Sequence, residues 1–234
     1  MISPSQLLPA LRSALRLKSE AIALRNALDS RAGVADMIAI AVNSRVFTAN
    51  QKPPEILQLL KSLATSQPRR ICEIGSAKGG TLALFCSVAS IGARIISIDL
   101  KYPVSRRFAN RYLARGSQKI KCVQCDSHTP QAVELVRRWI YPDKLDFLFI
   151  DGDHSFAGVK SDFEMYSPLV RSGGLVAFHD IVPDNQMKGG KFTGTSVGQV
   201  PLFWAELKRQ HAAARDLIES PVQDGYGIGV LQVV

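Results

Sequence analysis

The sequence predicts an α/β protein: a mostly parallel, doubly wound sheet with an N-terminal helical extension. Three observations carry this. From about Pro68 onward, short apolar runs alternate with stretches of helical character. The runs are continuously apolar instead of alternating with polar residues, the mark of strands covered on both faces. Glycine-rich or acidic residues close successive runs, at the strand ends where open α/β sheets place their ligands.

Taken in order, helical stretches occupy about 4–29, 33–46 and 53–65. The last opens on Pro53-Pro54-Glu55, which suits a helix N-terminus because proline donates no backbone hydrogen bond there. Ser66-Gln67-Pro68-Arg69-Arg70 reads as a boundary, dividing the chain into a helical extension, 1–66, and a larger domain, 67–234. In that domain strands are expected at 70–74, 94–99, 120–125, 145–150 and 175–178, with helices at 81–90, 104–115, 130–139 and 157–169. Residues 184–199, rich in Gly, Ser, Thr and Lys, read as a long loop of the kind that serves as a lid. A helix at 200–212, opened by Pro201, and a strand at 227–233 complete the chain.

A chain of 234 residues can form one α/β domain with a full core and a short additional segment. Its 46% hydrophobic and 21% charged residues exclude a disordered composition. No apolar run reaches the roughly 20 residues that span a bilayer. The N-terminus lacks an apolar core followed by a small-residue cleavage site, so a cytoplasmic location is expected. The net charge of +9 suits acidic partners, such as nucleic acid, anionic lipid or a phosphorylated substrate, and equally suits simple solubility. Of the four cysteines, Cys72, Cys86, Cys122 and Cys125, three lie in apolar patterns and read as reduced, buried thiols. Cys122 and Cys125 have half the spacing of a zinc site, with no second pair to complete four ligands.

Glu73-Ile74-Gly75-Ser76-Ala77-Lys78-Gly79-Gly80-Thr81 joins the first strand to a helix. Glycines here let the backbone turn sharply and approach a ligand. A phosphate-binding loop would need Gly-Lys-Ser/Thr, but Lys78 precedes the glycine pair. A dinucleotide fingerprint would need G-x-G-x-x-G, but position 77 is Ala. The remaining pattern, an acid two residues before the first glycine, is similar to the S-adenosylmethionine (SAM) loop of class I methyltransferases. That resemblance implies Gly75, Ser76, Gly79, Gly80 and Thr81 as the cofactor-lining turn, with Glu73 near the methionine end. Asp99 ends the second strand near the roughly 20-residue spacing of a carboxylate that holds ribose hydroxyls. Asp126 and Ser127 end the third strand and could bracket adenine. Each acid, taken singly, could also be a turn or cap residue.

The fourth strand ends in Phe149-Ile150-Asp151-Gly152-Asp153-His154 and the fifth in Phe178-His179-Asp180. Two adjacent strand ends thus carry three carboxylates and two imidazoles. Oxygen donors suit Mg²⁺, and added imidazole admits Mn²⁺, Fe²⁺ or Zn²⁺. The alternative is that Asp151 and Asp153 cap the following helix.

Residues 149–181 resemble the O-methyltransferases of the cephalosporin hydroxylase and macrocin (macrolide-sugar) type, and the likeness extends over about 47–234. It implies a Rossmann-like class I methyltransferase fold and O-methylation of a small hydroxylated acceptor, with Asp151, His179 and Asp180 holding a divalent metal. In that family the position of His179 is usually acidic. The resemblance also implies His154 as general base, Asp151 as catalytic and cofactor-binding, and SAM as cofactor. Hydroxyl activation by a metal and proton uptake by a histidine are chemically consistent with those roles.

Lys101, Arg106, Arg107, Arg111, Arg115, Lys119 and Lys121 form a run without an acid, and Arg107, Arg111 and Arg115 are spaced to share one helix face. This leaves open, as alternatives, an RNA or protein methyltransferase that uses the basic surface, or a non-catalytic SAM- or nucleotide-binding module, although no separate RNA-binding module is evident. Leu7, Leu8, Leu11, Leu15 and Ile22 fall near one stripe of the first helix, expected to pack on the domain, as a cap or against a second copy in a homodimer.

Overall fold

The computed structural model describes residues 4–30 and 33–234, apart from the side chains of 4–8 and 10. Three helices come first: α1 (Pro4–Asp29), α2 (Val34–Val42) and α3 (Pro53–Ser66). The alternating part follows as β1 (Arg70–Ile74), α4 (Gly80–Val88), β2 (Arg94–Asp99), α5 (Val104–Asn110), β3 (Lys119–Gln124), α6 (Pro130–Ile140), β4 (Leu145–Ile150), α7 (Phe156–Tyr166) and β5 (Val170–His179). It ends with α8 (Val200–Gln210), β6 (Arg215–Leu217) and β7 (Ile228–Gln232). The seven strands lie in the order β3-β2-β1-β4-β5-β7-β6. β1 to β5 are parallel, and β7 runs antiparallel to both β5 and β6. The order reverses between β1 and β4, the crevice where a doubly wound sheet binds its ligand.

Each face of the sheet has its own core. One holds Phe85, Phe147 and Phe149 together with Leu24, Leu28, Ile38, Ile56 and Leu60 of the first three helices. The other holds Leu148, Ile150, Val176 and Phe178 against Val136, Val159, Phe203 and Trp204 of α6, α7 and α8. Every residue of α4 is buried, because it lies between the sheet and the N-terminal helices. At Gly80 an added Cβ would overlap the backbone of residues 47–49, so the missing side chain is what lets the segment between α2 and α3 lie on α4.

Local signals explain the helix starts. Pro130 opens α6 and the Thr129 side chain accepts from Ala132 N, while Ser155 accepts from Gly158 N at the start of α7. Neither Asp151 nor Asp153 is the cap of α7; Asp153 instead accepts from Ser155 N at 2.8 Å.

Two expectations need correction, and one element is new. α5 ends at Asn110 and continues only as a 3-10 turn to Leu113, so Arg115 does not share a helix face with Arg107 and Arg111. Arg115 instead pairs with Asp29 of α1 and donates to Ser87 O, while Arg106 donates to Val46 O and Lys78 O. In α1 the buried line is Ala21, Leu24 and Leu28; Leu11 and Leu15 are exposed, and the Leu7 and Leu8 side chains lie outside the described residues. The strand β6 is unexpected, being three residues long and visible only through its pairing with β7. Among the described residues no helix is long and apolar enough to cross a membrane.

Gly80→Ala is expected to lower stability by about 1–3 kcal/mol, since backbone at 47–49 has no flexible end to yield. Urea denaturation measures this, and an unchanged midpoint would mean that the 47–49 segment is not held against α4.

Candidate active site

The C-terminal edge of the sheet opens into a cavity of about 410 Å³, lined by residues 74–77, 98–100, 125–128 and 151–153, and by Thr48, Asn50, Gln51 and Thr81. This lies within the usual range for a cofactor pocket, about 300–1,000 Å³. Its centre is the crossing of two turns. Gly75, at φ 84°, leaves β1 so close to the chain leaving β4 that a Cβ would overlap the Asp151 carbonyl. Glycine is therefore required twice there, for the left-handed backbone and for the approach.

Asp99 holds this turn open. Its Oδ2 accepts from Ser76 N (2.9 Å) and Ala77 N (3.0 Å), and its Oδ1 accepts from Lys101 N (2.8 Å). A carboxylate has about four acceptor sites, so Asp99 keeps capacity toward the cavity that it lines. Gly79 and Gly80 do not line the cavity. Gly79 is the left-handed residue at the start of α4, packed against Asn110, and Gly80 meets the 47–49 backbone. The expectation of a cofactor contact therefore narrows, within the glycine loop, to Gly75, Ser76, Ala77 and Thr81.

Glu73 also differs from expectation. It is fully buried under the turn and absent from the cavity wall. Ser97 donates to its Oε2 at 2.6 Å, while Oε1 has no partner. Burial pushes its carboxyl up to about 8, against the opposing hydrogen bonds of Ser97 and Ser76. Glu73 is thus largely neutral at pH 7 and places little charge near the cavity.

At the end bounded by β4 and β5, Asp151, His154, His179 and Asp180 come together. His179 Nδ1 lies 3.2 Å from Asp151 Oδ1 and 3.4 Å from Asp180 Oδ1. His154 Nε2 lies 3.4 Å from Asp151 Oδ1, and its Nδ1 lies 3.5 Å from Asp180 Oδ2. Ligand atoms of Asp151, His154 and Asp180 all fall within 4.8 Å of one another. Asp180 takes a left-handed φ of 64°, which turns its carboxylate back into the cluster; such strain in a non-glycine residue is typical of functional sites. Burial alone would depress the His179 imidazole, but Asp151 and Asp180 outweigh it and raise His179 well above its ordinary value. The Asp151 hydrogen bond does the same for His154, against its partial burial. Burial would raise Asp151, and the two imidazoles reverse this and hold it low.

Several supporting residues carry no signal in the sequence. Gln51 donates to Asp151 Oδ2 at 3.2 Å and accepts from Thr81 Oγ1 at 2.6 Å, tying the N-terminal segment to the cluster. Gln199 N donates to His154 O at 2.6 Å and Gln199 Oε1 accepts from Phe156 N at 3.0 Å, so the end of the 184–199 loop braces His154. An isolated glutamine in a connecting segment has no pattern by which to be found. Asp126 is exposed and its side chain accepts from His128 N, yet it and Ser127 line the cavity.

Residues 72–181 match a family described as a methyltransferase domain. An uncharacterized protein from Sinorhizobium fredii is 26% identical over 69% of this chain, and one from Acanthamoeba polyphaga mimivirus is 28% identical over 53%. The chain spans only 17% and 57% of the lengths of these two relatives. Among solved structures, an O-methyltransferase from Bacillus cereus in complex with S-adenosylhomocysteine (SAH) is similar at TM-score 0.56 and 18% identity, covering 88% of this chain and 91% of that one. MycE, a methyltransferase of mycinamycin biosynthesis solved with Mg, SAH and mycinamycin VI, is similar at TM-score 0.56 and 18% identity, covering 86% of this chain and 54% of that one. The fold is therefore the Rossmann-like methyltransferase fold.

The buried Glu73 gives a pH test. Its folded-state value of about 8 lies above the roughly 4.3 of an unfolded chain, so the folded protein binds the extra proton between them. Stability from this group is full below about pH 4 and is lost as pH rises toward about 8. Glu73→Gln is expected to flatten the fall in urea midpoint between about pH 6 and about pH 8.5. Equal slopes for the two proteins would show that Glu73 is already ionised at neutral pH.

Proposed function

From the premise that residues 72–181 form a methyltransferase domain on the Rossmann-like methyltransferase fold, we propose that this protein transfers the SAM methyl group to a hydroxyl of a small acceptor, a sugar or a glycosylated metabolite. The observation that carries the reading is the meeting, at one sheet edge, of the Asp99-held glycine turn and the Asp151–His154–His179–Asp180 cluster. In this reading residues 67–234 carry the chemistry. Residues 1–66 are a helical extension whose Thr48, Asn50 and Gln51 close the cofactor cavity.

When bound, SAM supplies a sulfonium methyl group that an oxygen can attack. The protein's part is to orient and to manage one proton. Asp99 would hold the ribose hydroxyls with the acceptor capacity that the backbone leaves it. The backbone at Gly75, Ser76 and Ala77 would line the methionine side, and Asp126 and Ser127 the adenine side. As the acceptor oxygen takes the methyl group, its hydroxyl proton would pass to His154. His154 is the more exposed of the two imidazoles, at 31% against 5% for His179, which leaves it within reach of an acceptor.

The donor chemistry of the cluster also fits a divalent cation. Ligand atoms of Asp151, His154 and Asp180 lie within 4.8 Å of one another, and His179 Nδ1 lies 3.2 Å from an Asp151 oxygen and 3.4 Å from an Asp180 oxygen. A cation held there would lower the pKa of the acceptor hydroxyl. His179, only 5% exposed, would then be a ligand, and His154, at 31%, would remain the base.

Titration calorimetry with SAH, with and without Mn²⁺, tests both parts. Wild type is expected to bind, Asp99→Ala to bind about tenfold more weakly, and His179→Ala to lose the metal-dependent heat. His154→Ala should keep SAH affinity and the metal heat, while turnover on a pool of hydroxylated metabolites falls by about 100-fold or more. Absence of SAH binding by wild type would remove the methyltransferase reading. Loss of the metal heat in His154→Ala would make His154 a ligand and end its role as base.

A further inference from the structure

The Asp151 cluster is held from outside residues 72–181. Gln51, in the connection between α2 and α3, is 3% exposed and donates through Nε2 to Asp151 Oδ2 at 3.2 Å. Its Oε1 accepts from Thr81 Oγ1 at 2.6 Å. Donor and acceptor chemistry fixes the direction of this chain. A carboxylate only accepts, so the amide turns its NH2 toward Asp151 and its carbonyl toward Thr81. A carbonyl also only accepts, so the Thr81 hydroxyl donates. Thr81 stands at the start of α4 and lines the cofactor cavity. One directed chain, Thr81 to Gln51 to Asp151, therefore runs from the cavity wall to the cluster.

The chain divides the two oxygens of Asp151. Gln51 takes Oδ2, while His179 Nδ1 and His154 Nε2 face Oδ1 at 3.2 and 3.4 Å. Rotation of the carboxylate would lose the Gln51 bond, so this bond sets where Oδ1 stands. Gln51 lies beside an anchored helix start. Glu55, on the first turn of α3 and fully buried, accepts from Gln223 Nε2 at 2.6 Å and from Gly227 N at 2.9 Å. Gly227 precedes Ile228, the β7 residue paired with His179. The start of α3 is thus tied both to the end of β4 and to the strand beside His179.

We propose that Gln51 is the positioning residue of the Asp151 cluster, setting the carboxylate oxygen offered to His154, His179 and a cation, and that Thr81 acts on the cluster through it. The role rests on the methyl-transfer reading above. It makes the helical extension a working part of the active site as well as a wall of the cofactor cavity.

Histidine side-chain NMR on the full chain, without cofactor or cation and at one fixed pH, reads the four imidazoles separately, and thermal melting checks that each variant folds. Gln51→Met, which keeps the length and removes both hydrogen bonds, shifts the His154 and His179 signals and leaves those of His128 and His211 at their wild-type positions. Thr81→Val gives the same two shifts in smaller degree, and Thr81→Ser, which keeps the hydroxyl, restores the wild-type signals. In calorimetry Gln51→Met binds Mn²⁺ about tenfold more weakly than wild type, the usual cost of losing a group that orients a metal ligand. Unmoved His154 and His179 signals in Gln51→Met, or equal shifts of all four rings, overturn the positioning role. Wild-type Mn²⁺ affinity in Gln51→Met overturns its part toward the cation, and unmoved signals in Thr81→Val overturn the part given to Thr81. If Gln51→Met does not fold, Thr81→Val against Thr81→Ser decides the proposal. The methyl-transfer reading fails separately, by absence of SAH binding to wild type, a result on which the histidine signals do not depend.

Discussion

The missing side chain at Gly75 is the constraint on which the site depends. β1 and β4 are neighbours in register, with Ile74 beside Ile150, so the chains leaving them must cross within one residue of the sheet edge. They can do so only because nothing projects from Gly75 toward the Asp151 carbonyl. The crossing places Asp151 beside the cavity instead of above it. Gln51, His154, His179 and Asp180 then converge on the Asp151 carboxylate. Asp99 secures the other side of the same turn by accepting from three backbone N–H groups.

Around this crossing the protein separates two kinds of buried acid. Glu73 lies under the turn, where burial pushes its carboxyl up to about 8 and keeps it largely protonated. Asp151 is surrounded by imidazoles and stays ionised. A neutral carboxyl below and a charged one beside the cavity leave the negative charge where a cation, a sulfonium or an acceptor proton would be. The left-handed backbone at Asp180, φ 64°, belongs to the same cluster, a position typical of functional sites.

The N-terminal helices belong to this site through packing. Ala21, Leu24, Leu28, Ile38 and Ile56 share a core with Phe85, Phe147 and Phe149 beneath the sheet edge. That core holds the α2–α3 connection on α4, and the connection delivers Gln51 to Asp151 and Thr81. Of the basic run, Arg106 and Arg115 are engaged with backbone carbonyls and Asp29, so part of that charge holds helices together.

The sequence by itself determined the alternating order of strands and helices, the glycine turn, and the acids and imidazoles at the strand ends. These are local properties: continuous apolar runs, turn residues and residue types at fixed spacing. Strands 70–74, 94–99 and 145–150 fall where their apolar runs end. Only the tertiary structure decided that β7 inserts antiparallel beside β5, that Glu73 lies under the turn, and that Gly79 and Gly80 serve packing and not the cavity. It alone brought Gln51, Glu55 and Gln199 to their places. These outcomes depend on contacts between residues far apart in the chain. Whether a side chain faces a ligand, a neighbour or the core is set by the element packed against it, and that partner is not written in the residue's own neighbourhood.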